Sequence, residues 1–411
     1  MGCLLRYGLD QQGELDLDDR VLVAGDGPAW EEEPSELAAS LAAALETPLG
    51  FPPLRQSTIP GDHVTLAMEE GLPHADQLVH GVVEVLQKAD IAPQDITILL
   101  PAGESAPGQP DPCRLLPEQA RRRVTVLRHD PKDPGSLAYL ASTEAGHRVL
   151  LHRAIVDADV VIPIGCQQSD RAPDYFGLFG GVYPAFSDAQ AQRRFRAWAL
   201  RPRRTAEKRY LMAEVREVAW LLGSAFAVQL VPGPGDQVLE VLAGETAQVW
   251  RAGRQRYAAV WNRFVPRRAR LVVAAIPGDA SQQTWRSLAR ALAAARPLVE
   301  PGGAIAVCCA LCQPPGEAVQ ALIDAKHPPA ALKRFGANLP EDALQAIQLL
   351  QARQYAHLFM LSGLEPQLVH QLHFTPLADF NQLVQLVRRA PSCIVLLDAP
   401  HAMVRVQPPK G

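Results

Sequence analysis

Hydrophobic residues recur along the first half of the chain in short runs, separated by stretches with helical periodicity. The runs predict β-strands at residues 64–67, 96–100, 124–127, 149–152 and 158–164. Residues 78–89 place apolar side chains on one face of a helix, and 188–198 and 205–222 are also predicted to be helical. Strands that alternate with helices are typical of an α/β fold with a largely parallel sheet.

The alternation is interrupted and then restarts in the second half. A strand at 225–230 runs into the turn-rich segment Val231-Pro-Gly-Pro-Gly-Asp236, and a long helix is predicted at 245–264. After Pro266, strands are predicted at 269–276, 303–309 and 394–398, with helices near 281–295, 315–325 and 341–353. A chain of 411 residues is too long to fold around a single hydrophobic core. We therefore predict two α/β domains with mainly parallel sheets and an interdomain cleft, covering residues 1–265 and 266–411.

Composition excludes several classes of protein. Hydrophobic residues make up 48% and charged residues 20%, which is normal for a globular protein, and a net charge of -4 favours neither nucleic acid nor membrane. A basic run between Arg193 and Arg209 is interpreted as a solvated helix face. The seven cysteines lack the spacing of a disulfide scaffold, and the N-terminus lacks the apolar core of a signal peptide. We expect a cytoplasmic protein, and the oligomeric state stays open.

A strand followed by a glycine-rich turn marks the most informative segment. Asp159-Val-Val-Ile-Pro-Ile-Gly165 has the pattern of a buried strand, and Phe176-Gly-Leu-Phe-Gly-Gly-Val-Tyr-Pro184 follows it. Glycine has no Cβ, so backbone at such a turn can approach a ligand closely. The sequence therefore predicts ligand-binding backbone at four glycines: Gly103, Gly165, Gly180 and Gly181.

Motifs spread over most of the chain resemble one family, the nickel-dependent lactate racemases. The resemblance is carried, in the family's order and spacing, by Ala44-Leu-Glu-Thr-Pro-Leu-Gly50, Asp95–Gly103, Arg128-His-Asp130, Ser142–Gly146, Asp157–Gly165, Phe179-Gly-Gly181, Val241–Gly244 and Val299–Gly303. It implies two α/β domains with a site in the cleft between them. It further implies a 2-hydroxyacid racemase that uses a lysine-tethered, nickel-bound pyridinium cofactor, with two histidines acting as acid and base.

The residue types that this chemistry requires are missing at the matching positions. The tethering lysine corresponds to Tyr183, and the metal-binding histidine falls near Trp198. The acid and base histidines correspond to Ser105 and to a position among residues 174–176. A substrate-binding cation is replaced by acid at Glu69 and Glu70, and no lysine is near the glycine-rich turn in sequence. We therefore expect neither the cofactor nor a metal.

Three functions remain open at this point. The leading interpretation is a divergent member of the family that has lost the racemase machinery and is either a pseudoenzyme or a binder of a small anion. The alternatives are an active nickel-dependent racemase or epimerase, and an enzyme with new catalytic residues, for which Asp174, Tyr175 and Tyr183 are the candidates.

Two arginines form the predicted anion site. Arg290 stands where the resemblance places a substrate-holding lysine, and Arg286 lies one helical turn before it. A planar guanidinium suits a carboxylate or another small anion. The alternative is that both arginines pair with acids of the first domain, such as Glu69 and Glu70.

Overall fold

Two six-stranded sheets organise the molecule. The computed structural model describes residues 2–16, 21–24, 27–30, 36–102, 111–170, 172–198, 204–325, 328–336 and 338–407. The strands are β1 (Gly2–Arg6), β2 (Gln12–Asp16), β3 (Val21–Ala24), β4 (Val64–Met68), β5 (Ile96–Leu100), β6 (Thr125–Arg128), β7 (Leu137–Ser142), β8 (Arg148–His152), β9 (Val160–Cys166), β10 (Phe226–Pro232), β11 (Val238–Glu245), β12 (Asn262–Val265), β13 (Ala269–Ala275), β14 (Val299–Cys308), β15 (His357–Leu361), β16 (Thr375–Pro376), β17 (Cys393–Leu396) and β18 (Met403–Val406). The helices are α1 (Leu37–Glu46), α2 (Ala75–Lys88), α3 (Glu118–Arg121), α4 (Arg153–Val156), α5 (Ala189–Ala197), α6 (Arg204–Leu222), α7 (Thr246–Trp261), α8 (Trp285–Ala295), α9 (Glu317–Ile323), α10 (Pro328–Lys333), α11 (Ala343–Arg353), α12 (Pro366–Gln371) and α13 (Phe380–Arg389).

The first sheet has the strand order β11-β10-β9-β4-β5-β6. All neighbouring strands are parallel except β10 and β11, which are antiparallel. Every residue of β4 is buried, as expected for a central strand that is covered on both faces. Apolar side chains of α1 and α2 pack into the same buried cluster as residues of β4, β5 and β9.

The second sheet has the order β16-β15-β14-β13-β17-β3, with every neighbouring pair parallel. Helices α8, α9 and α11 contribute to a large apolar cluster with β13 and β14. The same cluster includes Tyr183, Phe186 and Phe195, which follow the first sheet's strand β9 in sequence. The predicted α/β class with mainly parallel sheets is therefore confirmed.

The first strands of the chain contact the second sheet. Strand β3 pairs with β17 at its edge. The β1–β2 hairpin buries Leu5 and Leu15 in one cluster with Val395, and Tyr7 stacks on Phe380 of α13 with ring centroids 5.8 Å apart. Strand β3 thus joins the sheet formed by the second half, and the β1–β2 hairpin packs against it, although the sequence assigned both to the unit 1–265. Division of the chain near residue 265 stays a prediction.

Two sequence expectations are corrected. The strand predicted at 149–152 forms as β8, but it pairs antiparallel with β7 in a separate ribbon instead of joining the parallel sheet. Helix α7 ends at Trp261 and not at residue 264, because β12 begins there and pairs with β18, a strand that follows the predicted last one. Within the described part of the chain, no helix has both the length and the apolar character to cross a membrane.

Candidate functional site

Three adjoining cavities lie at the carboxyl end of β4, where ligands of α/β sheets generally bind. Their volumes are about 300, 270 and 20 Å³. All three are lined by Glu69 and Glu70, which directly follow β4. The two larger cavities are also lined by residues of the second half, including Arg286 on α8 and Gln345 on α11.

Glu69 is held against the end of β9. Its backbone N–H donates to Ile164 O at 2.9 Å, and its Oε2 accepts the backbone N–H of Cys166 at 2.8 Å. A Cβ on Gly165 would lie 2.8 Å from Glu69 Oε2, so this close approach needs a glycine. Burial raises the pKa of Glu69, against the opposing effects of that hydrogen bond and of Arg290 and Arg286.

Asp174 bridges the two arginines of α8. Arg290 donates from Nε to Oδ1 at 3.0 Å and from Nη2 to Oδ2 at 2.8 Å, which is a bidentate pair. Arg286 Nε lies 3.0 Å from Asp174 Oδ2, and Arg286 Nη2 lies 2.8 Å from Glu70 Oε2. Both predicted anion-binding arginines therefore face the cavities with acidic partners already beside them. We name Glu69, Glu70, Asp174, Arg286 and Arg290 the acid–arginine cluster.

The electrostatics of Asp174 do not suit a general base. Burial would raise the pKa of this carboxyl, but the charges of Arg290 and Arg286 hold it at about 2. A useful base has a pKa near the working pH, whereas a carboxylate this acidic takes up a proton poorly. Asp174 is thus a fixed negative charge between two guanidinium groups.

The other two catalytic candidates have separate sets of partners. Tyr175 donates its hydroxyl proton to Gln167 Oε1 at 3.1 Å, and burial raises its pKa well above the ordinary value. Tyr183 is fully buried, and its hydroxyl donates to Glu214 Oε1 at 2.6 Å. Burial and Glu214 raise the pKa of Tyr183 as well. Tyr175 lines the same cavity of about 300 Å³ as Asp174, whereas Tyr183 lines none of the three, so the structure brings two of the candidates to one cavity and leaves Tyr183 apart.

Arg194 completes the surroundings of Tyr183. Its Nη2 donates to the Tyr183 hydroxyl at 2.8 Å, and its guanidinium group binds both carboxylate oxygens of Glu214. Arg193 and Arg196, also in the basic run, donate to Asn338 Oδ1 at 2.6 Å and to Leu339 O at 3.2 Å. All three arginines thus make contacts within the chain, and Arg193 and Arg196 contact the segment before α11.

An aromatic cluster occupies the space beside the glycine-rich turn. Phe195 lies 5.0 Å from Phe176 and 5.5 Å from Tyr183, and Trp198 lies 6.1 Å from Phe176, measured between ring centroids. Of the predicted glycines, Gly180 and Gly181 line the largest cavity. Gly103 and Ser105 lie outside the described residues.

Lys208 is a neighbour of this segment that sequence spacing did not indicate. Its Nζ donates to the carbonyls of Asp170 and Ala172 at 2.8 and 2.7 Å and lies 5.6 Å from the Trp198 ring centroid. Burial lowers its pKa to about 8. The residue comes from α6, far along the chain, so only the packing of that helix reveals the contact.

Comparison with known proteins finds a family match for the first part of the chain. Residues 7–184 match the family model described as the lactate racemase N-terminal domain. This first part of the chain is therefore similar to the N-terminal domain of lactate racemases. Residues 185–411 lie outside that match. No functionally curated protein matches the sequence.

Two solved structures share the fold of this chain. The lactate racemase apoprotein from Thermoanaerobacterium thermosaccharolyticum is 15% identical, with a TM-score of 0.76, and the match covers 98% of this chain and all of that one. A Thermotoga maritima protein from a structural genomics consortium is 9% identical, with a TM-score of 0.66, and the match covers 92% of this chain and all of that one. At these identities the similarity establishes the fold alone.

The residues at these positions do not fit the nickel cofactor that the sequence resemblance implies. Tyr183, at the tether position, is enclosed by Glu214 and Arg194, and Trp198, near the metal position, packs against Phe176. An indole is not among the nitrogen and sulfur ligands that proteins offer to such metals. Throughout the described residues, no group of three or more His, Cys, Asp or Glu side chains could hold a metal ion.

Proposed function

We propose that the protein is a racemase-like protein without the hydride-transfer machinery, which binds a small carboxylate ligand in the cavities beside Glu69. The observation that carries the first part is the environment of Tyr183. A phenol cannot form the linkage of a lysine amine, and this phenol is fully buried between Glu214 and Arg194. At the position of the tethering lysine, the chain therefore has a structural hydrogen-bond network of Tyr183, Glu214 and Arg194.

The ligand-binding part rests on Arg286. Its side chain is 28% exposed, lines both larger cavities, and pairs with a Glu70 side chain that is 53% exposed. Exposed ion pairs contribute about 0–1 kcal/mol, so a ligand carboxylate can take the place of Glu70 at small cost. Arg290, in contrast, is held bidentately by Asp174, with both side chains only 12% exposed. The sequence singled out Arg290 first, whereas the structure favours Arg286 as the arginine that meets a ligand.

No observation favours either catalytic alternative. An active nickel racemase needs the tethering lysine and the histidines, and these are replaced at every matching position described. An enzyme with new residues needs an acid and a base near one reacting atom, but Asp174, Tyr175 and Tyr183 have separate partners. We also propose a cytoplasmic location, because none of the seven cysteines forms a disulfide and five of them are buried.

Intact mass and metal content test the loss of the cofactor. The chain is co-expressed with the enzymes that make the nickel cofactor, and a family member with the tethering lysine is treated identically as the positive control. We expect the mass of the unmodified chain and far less than one nickel per molecule. A mass increase accompanied by one nickel per chain would overturn the proposal.

A further inference from the structure

The charges around the cavities determine what kind of carboxylate can bind. The largest cavity is lined by two arginines, Arg196 and Arg286, and by five acidic side chains: Glu69, Glu70, Asp174, Glu341 and Asp342. Arg128 and Arg290 add positive charge in the second cavity. Arg290 is already neutralised by Asp174. A ligand with only negative charge would therefore enter a space in which acids already match or outnumber the arginines within reach.

Among the described residues, Glu69 forms no ion pair, although it lies close to Arg286 and Arg290. Its Oε2 accepts one backbone N–H, from Cys166, and no described residue forms a hydrogen bond with its Oε1. The side chain lines all three cavities, next to Glu70 and within the same lining as Arg286. The Oε1 atom of this half-buried carboxyl therefore has no donor among the described residues, and burial raises the pKa of Glu69. A cationic group on the ligand would supply that donor.

Glu70 can provide a second carboxylate for the cationic group of the ligand when the ligand binds. Its single ion pair, to Arg286 Nη2 at 2.8 Å, is the exposed contact that a ligand carboxylate can displace. The released Glu70 carboxylate stays at the same cavities as Glu69, because both residues line all three of them. Asp174 stays fixed between Arg286 and Arg290.

Building on the proposed carboxylate binding, we propose that the ligand is a small zwitterion of the amino-acid type. Its carboxylate pairs with Arg286, and its ammonium group lies between Glu69 and Glu70. A zwitterion leaves the summed charge of the site unchanged. A 2-hydroxy acid such as lactate would instead place one more negative charge beside Glu69 and the displaced Glu70. The repulsion between these charges is screened less by the protein than it would be by water.

Calorimetric titration with a matched pair of probes tests the proposal. L-alanine and L-lactate have the same carbon skeleton and differ in an ammonium versus a hydroxyl group. On the full-length protein we expect alanine to bind about tenfold tighter or more, which corresponds to about 1.4 kcal/mol. Lactate affinity equal to or above that of alanine, for both enantiomers, would overturn the zwitterion.

Variants separate the zwitterion from the underlying carboxylate site. Glu69→Gln should weaken alanine binding about tenfold and leave lactate unchanged or tighter, whereas Arg286→Met should weaken both. Glu46→Gln and Arg55→Met, in an exposed ion pair whose atoms are 3.0 Å apart and outside the cavities, are the matched controls and should change neither. Arg286-dependent lactate binding without a preference for alanine contradicts the zwitterion only. Absence of binding by both probes at millimolar concentration contradicts the carboxylate site as well.

Discussion

Single residues decide the chemistry of this site, and their partners come from distant parts of the chain. The sequence placed Tyr183 at the tether position. It could not show that Arg194 of α5 and Glu214 of α6 would enclose it, because hydrogen-bond partners depend on how two helices pack. The same limit applies to Asp174. As part of a sequence it was a candidate base, and only the contact with two arginines makes it a fixed anion.

Restoring the tethering lysine alone should not restore racemisation. In Tyr183→Lys the amine would join Arg194 and Glu214, while the histidines and the metal ligand would still be missing. When catalytic groups act as one unit, restoring a single member recovers little activity. We expect no lactate epimerisation above the parent protein's background, measured by chiral chromatography after co-expression with the cofactor-making enzymes. Tyr183→Phe controls for loss of the hydroxyl, and clear epimerisation by Tyr183→Lys would show that the other positions were misjudged.

Asp174→Asn should destabilise the protein strongly at neutral pH. Removing one partner of a buried ion pair typically costs about 3–5 kcal/mol because the remaining charge is uncompensated. The folded pKa of about 2 lies below the usual value near 3.9, so this stabilisation is present above pH 4 and is lost as pH falls from about 4 to 2. Urea unfolding at pH 7 and pH 3 should show the variant and the parent converging at acid pH.

The matched control for this loss is Asp157→Asn. Its ion pair with Arg153 is exposed, with the charged atoms 3.7 Å apart, and such pairs contribute about 0–1 kcal/mol. Equal losses in Asp157→Asn and Asp174→Asn would contradict the burial argument.

At the scale of elements, hydrophobic pattern predicted most strands and helices of the two sheets. Strands β4, β5, β9 and β13 and helices α2 and α8 fall where the alternation indicated them. Pattern could not assign β8 to a ribbon, because the period of a strand does not reveal which strand it pairs with. Short edge pieces such as β12 and β18 carry too few residues for a period to be recognised.

Gly165, which the sequence singled out as a ligand-binding glycine, allows a close contact between the ends of two strands, β4 and β9. Gly165, near the end of β9, was expected to admit a ligand, and the atom that approaches it is Glu69 Oε2 from the end of β4. A Cβ in Gly165→Ala must push the Glu69 carboxylate away from the Cys166 N–H. Overpacking of this kind typically costs about 1–3 kcal/mol.

Thermal or urea unfolding of Gly165→Ala checks this cost. Gly181→Ala is the matched control, because a Cβ there would meet Glu69 at 3.7 Å, an ordinary contact, and should cost less than about 0.5 kcal/mol. If Gly165→Ala unfolds at the same urea concentration as the parent, the close approach of Glu69 to β9 is not a real constraint.

For the whole molecule, fold and site have different tolerance for sequence change. The fold is shared with a lactate racemase apoprotein at 15% identity, because many apolar side chains can fill the same layers. The site depends on a few residue types, and here the matching positions carry a phenol, an indole and acids. Resemblance of motifs therefore predicted the architecture well, whereas the departures from those motifs are what led to the proposed ligand.

The N-terminal hairpin gives the sharpest test of how the molecule is assembled. Leu5 is fully buried in the cluster that includes Leu383 of α13 and Val395 of the second sheet, whereas its neighbour Leu4 is 46% exposed on the other face of β1. Leu5→Ala should therefore cost about 2–5 kcal/mol, and Leu4→Ala less than about 0.5 kcal/mol.

Hydrogen exchange followed by mass spectrometry shows which elements lose stability in Leu5→Ala. In Leu5→Ala, protection should fall in α13 and β17, which pack beside the hairpin, while β4 and β5 of the first sheet keep theirs. Loss of protection in β4 and β5 with β17 unchanged would mean that the first residues belong with the first sheet, as the division 1–265 assumes. Because α13 and β17 lie more than 350 residues beyond Leu5 in the chain, the expected result would also show that the core beside the second sheet depends on the N-terminal hairpin.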